Sequence, residues 1–530
     1  NNYADLFYDY IPAWMVPQDY QAIKDYYEGL PQGASIPWAV WIEPMGWWLA
    51  LIVAMSFMLI CMSAILHRQW SVHERLTYPM VQLPQNMIEK DEDARVAPFF
   101  KKQNDVAGLR RALPPAEPQR AQPLLAHGAR LQSPRPLFDV QPDPAPAHRS
   151  QPGLGRLLLS GQPRDHLQHL VFFYVFSKVE EGVFSILGIA STEQLSVYEF
   201  SQPADLTHQA TGAVIVLVVF GLWTARVHLS EVVRKLWDPH GGVDDSEELL
   251  RYRTAVWGFI ASLIFVGAWL WRSGVQIAVV PVLIFVSLFF FILVARVVAT
   301  GGVATARSPI VPAYFIISGL GTSILGAKGL VALNFTFIWQ GESRTSPMVA
   351  ASNGLKLAEL IPGPKTRLFW GLMVALLCSL LGAAYMTLKL AYTYGAINLS
   401  LINWAGAHGW PKISSTIQNM PDANMRGWLF RGIGGLVEGL LIWAQHRWFW
   451  WPFHPVGFAI AVGWLTSQIW FSALIAWILK AVIVRFGGVN LFQNLKPFFL
   501  GLILGEVSVS GFWGIIYPLT IERGRWLTNM

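Results

Sequence analysis

Apolar runs of about 20 residues recur along this chain, and that is the length a helix rising ~1.5 Å per residue needs to cross hydrocarbon. Eight stand out, at 46–66, 167–190, 209–225, 254–271, 275–295, 368–391, 427–445 and 498–519. Two further stretches, 309–340 and 454–484, are apolar but interrupted by Gly or polar residues, so each reads as one long span or as a hairpin of short segments. The expected fold is an all-α polytopic transmembrane helical bundle of at least 8 visible spans, extending to 10–12, with broken or re-entrant helices. Composition closes off the soluble alternative. Only 14% of the 530 residues are charged and 53% are apolar, whereas an ordinary soluble domain carries about 25% charged residues.

Basic residues orient the spans, because cytoplasmic loops carry the excess of Lys and Arg. His67, Arg68 and Arg75 follow the first span; Arg226, Arg234, Lys235, Arg251 and Arg253 lie between the third and fourth; Arg296 and Arg307 follow the fifth. These loops share one side by parity, which is expected to be the cytoplasmic side of the cell (inner) membrane. Arg344, Lys356, Lys365 and Arg367 agree if 309–340 returns to the same face, while past 454 the rule does not decide. The net charge of +6 is accounted for by topology, so lipid and a small solute are the expected partners and nucleic acid is not. Trp47, Trp48, Trp448, Trp450 and Trp451 sit near span ends, where amphipathic rings favour the headgroup region. Cys61 and Cys378 both fall in apolar runs and offer neither a disulfide framework nor a thiolate metal site.

The chain opens at Asn1 without Met or a signal-peptide pattern, and reads as a fragment in which Tyr8 to Gly33 form an extracytoplasmic loop. Composition divides the chain into four blocks. Residues 1–100 hold the loop, the first visible span and a cytoplasmic motif; 101–165 are an anomalous Pro/Arg-rich segment; 166–395 form a central and 396–530 a C-terminal transmembrane domain. The anomalous segment reads equally as a disordered loop or as an out-of-frame stretch of a GC-rich coding sequence. The mixed charges of 229–253 read as a solvated cytoplasmic loop with a short amphipathic helix.

No motif for nucleotide hydrolysis, metal binding or cofactor attachment is present. Gly321 to Lys328 lacks the Gly-Lys-Ser/Thr ending of a phosphate loop, and the twelve His are scattered. No catalytic residue is assigned and no enzyme is expected. Polar residues inside spans remain, and each costs several kcal/mol unless paired or facing water. Glu438 and Glu506 are candidates for proton or cation handling, and Lys389 and Asn334 for substrate contact; Lys178, Glu180 and Glu181 interrupt the second span. The structural alternative for each carboxyl is a hydrogen bond to a neighbouring helix at a Gly-packed interface. A transport route requires Glu438, Glu506 and Lys389 to converge. Gly-rich sequence at Thr300 to Val303, Gly319 to Gly329 and Gly432 to Gly439 marks either helix unwinding at a binding site or close packing.

The most distinctive cytoplasmic sequence runs from Arg68 to Pro84. Glu74, Arg75 and Pro79 within it read as a gate or, more plainly, as a helix end capped by salt bridges. Glu74-Arg-Leu-Thr-Tyr-Pro79 followed by Gln82-Leu-Pro84 resembles an uncharacterised prokaryotic membrane family made of two adjoining domains of unknown function. Agreement continues at Phe172-Phe-Tyr-Val-Phe-Ser-Lys178, Ser346-Pro-Met348, Lys356-Leu-Ala-Glu359 and from Pro455 to Gly511. That family in turn is similar to the oligopeptide transporter superfamily through Glu74 to Pro79 and Gly505-Glu506. The second resemblance implies proton-coupled uptake of peptides or metal chelates through inverted repeats. The expected function is secondary transport of such solutes, with a non-transporting complex subunit and a membrane enzyme acting on lipid-linked substrates as alternatives.

Overall fold

The computed structural model describes residues 6–88 except 32, 166–191 with 193 and 195, 203–238, 244–303, 306–339, 345–360, 365–448, 451 and 453–520. Every regular element among them is helical. The chain forms α1 (Tyr20–Glu28), α2 (Trp38–Arg68) and α3 (Gln82–Ile88), then α4 (His166–Ile186), α5 (Ala204–Thr224) and α6 (Arg226–Trp237). Next come α7 (Tyr252–Ser273), α8 (Val280–Gly301) and three short helices, α9 (Pro312–Leu320), α10 (Gly326–Phe335) and α11 (Pro347–Ala358). The last are α12 (Thr366–Tyr394), α13 (Ser400–Asn419), α14 (Met425–Arg447), α15 (Pro455–Ala461) and α16 (Trp464–Thr520). The Pro/Arg-rich segment assigned to 101–165 lies outside the described residues.

Seven segments among the described residues are long and apolar enough to cross a membrane: Trp38–His73, Ala204–Thr224, Tyr252–Ser273, Val280–Gly301, Thr366–Tyr394, Thr466–Gly488 and Asn490–Gly514. The runs expected at 167–190 and 427–445 are helices, α4 and α14, but are not among the seven. The reason is their polarity. Helix α4 carries Lys178, Glu180 and Glu181, and α14 carries Arg426, Arg431, Glu438 and Arg447.

Both ambiguous stretches turn out to be broken. In 309–340, α9 ends at Gly321 (φ 77°) and α10 begins five residues later. The turn between them is pinned by Thr322, whose backbone N–H and hydroxyl both donate to the Pro421 carbonyl, at 3.0 and 2.9 Å. The second stretch holds the short α15 and the start of α16. Helix α16 itself reverses at Gly488 (φ 69°, ψ 178°). Lys480 lies 5.6 Å from the Phe492 ring, whereas residues twelve apart on a straight helix are ~18 Å apart.

Helices α5 and α14 run side by side in the same direction, with Asp205 beside Arg426 near their starts and Phe220 against His446 near their ends. The ends of α2, α5 and α8 gather at one end of the bundle, termed the basic end. There His228 on α6 meets the Ile65 carbonyl at 2.8 Å, and the Tyr78 N–H donates to the Ala299 carbonyl at 2.8 Å. At the far end Trp14 packs edge-on against Trp47 and Trp269 with Arg272 over two of these rings, fixing the N-terminal segment on α2 and α7.

Candidate functional site

Where α5 meets α14 their backbones touch. A Cβ on Gly212 would fall on the Arg431 carbonyl, and one on Gly434 would fall on that of Gln209. Only glycine lets the backbones touch this way. The Gly-rich sequence at 432–439 therefore does not unwind α14, which is continuous from Met425 to Arg447; Gly434 and Gly435 serve packing there, while Gly432 and Gly439 face open space. The break expected in Gly319 to Gly329 is real, and Thr300 to Val303 marks the end of α8.

On the far side of this crossing the chain gathers polar groups that apolar helices would otherwise exclude. Arg426 donates through Nε and Nη2 to both oxygens of Asp205, at 2.9 and 2.8 Å, and Asp205 also accepts from the Ser191 N–H at 3.1 Å. Glu193 accepts from the Asn424 amide and sits 3.2 Å from Nε2 of His208, whose side chain is fully buried. Burial would raise the Glu193 carboxyl, but the bonds from His208 and Asn424 outweigh it and hold it below the ordinary value. Asn424 in addition caps α14 through the Gly427 N–H at 2.8 Å.

Two ionisable side chains of α14 are left over. Arg431 is 3% exposed and none of its three nitrogens has a hydrogen-bond partner; Glu438 is 0% exposed and neither carboxyl oxygen has one. Seven residues separate them, so two helical turns put them on one face, with Gly434 between and α5 opposite. Buried polar groups without partners are rare because each costs on the order of 1–3 kcal/mol or more. Two of them on one helix, within two turns that include the glycine contact, are the feature that distinguishes this site.

The other sequence candidates lie elsewhere. Lys389 is exposed over the Tyr385 ring on α12, which packs on α1 and α2 and is scarcely buried. Glu506 lies on α16, whose main neighbour is α4. The convergence of Glu438, Glu506 and Lys389 that a shared route required is not what the packing provides; each belongs to a different helix contact. Asn334 is buried on α10 against Gly409, with its Oδ1 unpartnered. Glu180 accepts from Gln209 at 2.5 Å, joining α4 to the polar end of α5, while Lys178 and Glu181 pair with each other at 2.6 Å.

A second polar assembly occupies the basic end. A π-helical turn, Gln69–His73, extends α2, and Arg75 and Tyr78 then adopt left-handed backbone (φ 52° and 43°) at a cost of about 1–2 kcal/mol each. Contacts to α8 hold that strain. Glu74 pairs with Arg296 at 2.6 Å and accepts from Gln69 at 3.0 Å, Thr77 donates to the Thr300 carbonyl at 2.9 Å, and Pro79 packs on Gly302. Arg75 itself is exposed.

Beside it, Glu359 at the end of α11 meets His67 at 3.0 Å, Lys356 at 2.7 Å and Ser71 at 2.5 Å. Burial would raise this carboxyl, yet the bonds from His67, Lys356 and Ser71 hold it down to about 2. Because folding lowers the pKa, the stabilisation is complete above the ordinary value near 4.5 and is lost as pH falls toward 2. It amounts to about 2 kcal/mol once partial exposure is discounted. Thermal unfolding of the detergent-solubilised protein from pH 5 to pH 3 should therefore show a steep acid loss in the wild type and a shallower one in Glu359→Gln. Equal slopes would remove Glu359 as its source.

Sequence reasoning missed Arg431, Asp205, Glu193 and His208. Arg431 carried a usable signal, a charge inside the same apolar run as Glu438 and on the same helical stripe; the others precede the run read as 209–225. Among the described residues no group of three His, Cys, Asp or Glu is placed to hold a metal ion.

Long apolar helices packed around polar contacts at both ends define a polytopic α-helical membrane protein. Within that class the chain belongs to a family of unknown function, DUF6785, whose pattern matches residues 1–113 and 161–525. The unmatched interval, 114–160, falls inside the Pro/Arg-rich segment. No curated protein matches the chain.

Proposed function

We propose that this protein is a proton-coupled secondary transporter of a small polar solute in the cell membrane, a carrier and not an enzyme. The observation that carries the reading is Glu438, fully buried with both oxygens unpartnered. A carboxyl tolerates that setting when protonated, and its anion demands water or a cation. Protonation is thereby linked to whether the α5–α14 contact is closed or open, which is what coupling requires. The sequence likeness to the oligopeptide transporter superfamily supports peptides or metal chelates as the solute class, with Glu74, Arg75 and Pro79 at the cytoplasmic gate.

Purified protein in proteoliposomes tests it. An imposed proton gradient should drive uptake of labelled peptides, and Glu438→Gln should reduce that uptake more than tenfold. The same variant should unfold at an equal or higher temperature, because a buried unpaired acid is replaced by a neutral isostere. Gradient-driven uptake at the wild-type rate in Glu438→Gln sinks the coupling role. Unchanged uptake in Glu506→Gln would remove Glu506 alone.

A further inference from the structure

The geometry points to Arg431 as a binding site for the carboxylate of a small monoanionic solute, held in the plane of its guanidinium at the far end of the α5–α14 crossing. Three observations carry this. First, the guanidinium is held by rings on two adjacent sides: the Phe315 ring lies 4.4 Å and the Trp428 ring 4.7 Å from its central carbon, and the rings stand at 78° to one another with centroids 6.0 Å apart. Trp428 is held in turn by its indole N–H, which donates to the Gly319 carbonyl at 2.9 Å. Two perpendicular rings cannot both stack on one planar group, so they cover adjacent sides, and the N–H edge turned away from both is left to match the two oxygens of a carboxylate.

Second, all three nitrogens are unpartnered at 3% exposure, although the Glu193 carboxylate is close enough for its field to act on them. The nearby carboxylates have other partners. Asp205 is held by Arg426, Glu180 by Gln209, and Glu193 by Asn424 and His208. Glu193 acts on Arg431 only through its field, which it also exerts on Lys412. A fixed Arg that its neighbours leave unsatisfied is pre-organised for an anion brought from outside.

Third, bare backbone lies close beside it. A Cβ at Gly319 would come within 3.0 Å of Nη1. One turn before Arg431 the ring of His208 packs on Gly427, with Nδ1 buried and unpartnered. The field of Glu193 opposes a second negative charge, so monocarboxylates are selected over dicarboxylates and phosphate.

The inference rests on the transporter reading only for the fate of the bound solute, and its test uses no gradient. Full-length protein in detergent at constant ionic strength is titrated with acetate, succinate, inorganic phosphate and chloride while its thermal unfolding is monitored. Acetate should stabilise saturably, with a half-saturating concentration at least tenfold below that of succinate or phosphate and with no effect from chloride. In Arg431→Lys, which keeps the charge but loses the fork, that concentration should rise at least tenfold; in Arg431→Gln the acetate effect should vanish. Phe315→Leu leaves the Arg and removes one ring, so weakening by a smaller factor is expected there if the Arg431 variants do not fold. Phosphate or chloride acting as well as acetate on the wild type, or acetate acting undiminished on Arg431→Gln, overturns the assignment. Acetate binding without peptide uptake would leave Arg431 in place and reject transport.

Discussion

Gly434→Leu is expected to prevent formation of the native bundle. Any side chain at this position starts inside the Gln209 carbonyl of α5, and a backbone atom has no rotamer by which to move aside. Overpacking typically costs about 1–3 kcal/mol where neighbours can adjust; with two backbones in contact the cost lies at or beyond the top of that range. Gly432→Leu supplies the control. It stands two residues away on the same helix with nothing within 4 Å of a built Cβ, so it gains helix propensity of up to about 1 kcal/mol and loses no contact. Size-exclusion profiles and unfolding temperatures in detergent should therefore separate the pair, with Gly434→Leu aggregated or unfolded and Gly432→Leu like the wild type. Two variants behaving alike would mean that α5 and α14 do not touch as described.

Arg426→Ala should produce the next largest loss. It strips Asp205, only 1% exposed, of two guanidinium bonds and leaves it the Ser191 N–H alone. Removing one partner of a buried pair typically costs about 3–5 kcal/mol, and the 43% exposure of Arg426 places this case near 3 kcal/mol. The carboxylate left behind causes most of that loss, so Asp205→Asn in the Arg426→Ala background should restore a large part of the stability. A double-mutant cycle measured by denaturant titration checks it. Additive losses would show that the pair contributes little.

Much of the fold was legible because membrane-crossing length is a local property. The run at 254–271, for example, becomes α7 with its ends displaced by two residues. Helix breaks were legible as possibilities, and Gly321 shows what settles one: a left-handed turn tied to Pro421, which is 99 residues from Thr322. Close contacts between distant residues left no mark in the sequence. Asp205 and Arg426 are 221 positions apart, Glu193 and Asn424 231. Glycine shows the difficulty most clearly, since Gly432 and Gly434 read alike in sequence and have opposite surroundings. Lys389 looked intramembrane by position, yet its helix turns it outward. Glu438 was singled out as a polar group inside an apolar run and is fully buried, but its counterpart on the helix face, Arg431, needed the rings of Phe315 and Trp428 to be seen.

The contact of α5 with α14 has a mechanical consequence. Gly212 and Gly434 lock the two backbones together over about one turn of α14, from Arg431 to Gly434, with Glu438 ~6 Å further along the axis. With backbone against backbone there is no side chain to rearrange at that point, so the two helices can part there only as rigid rods.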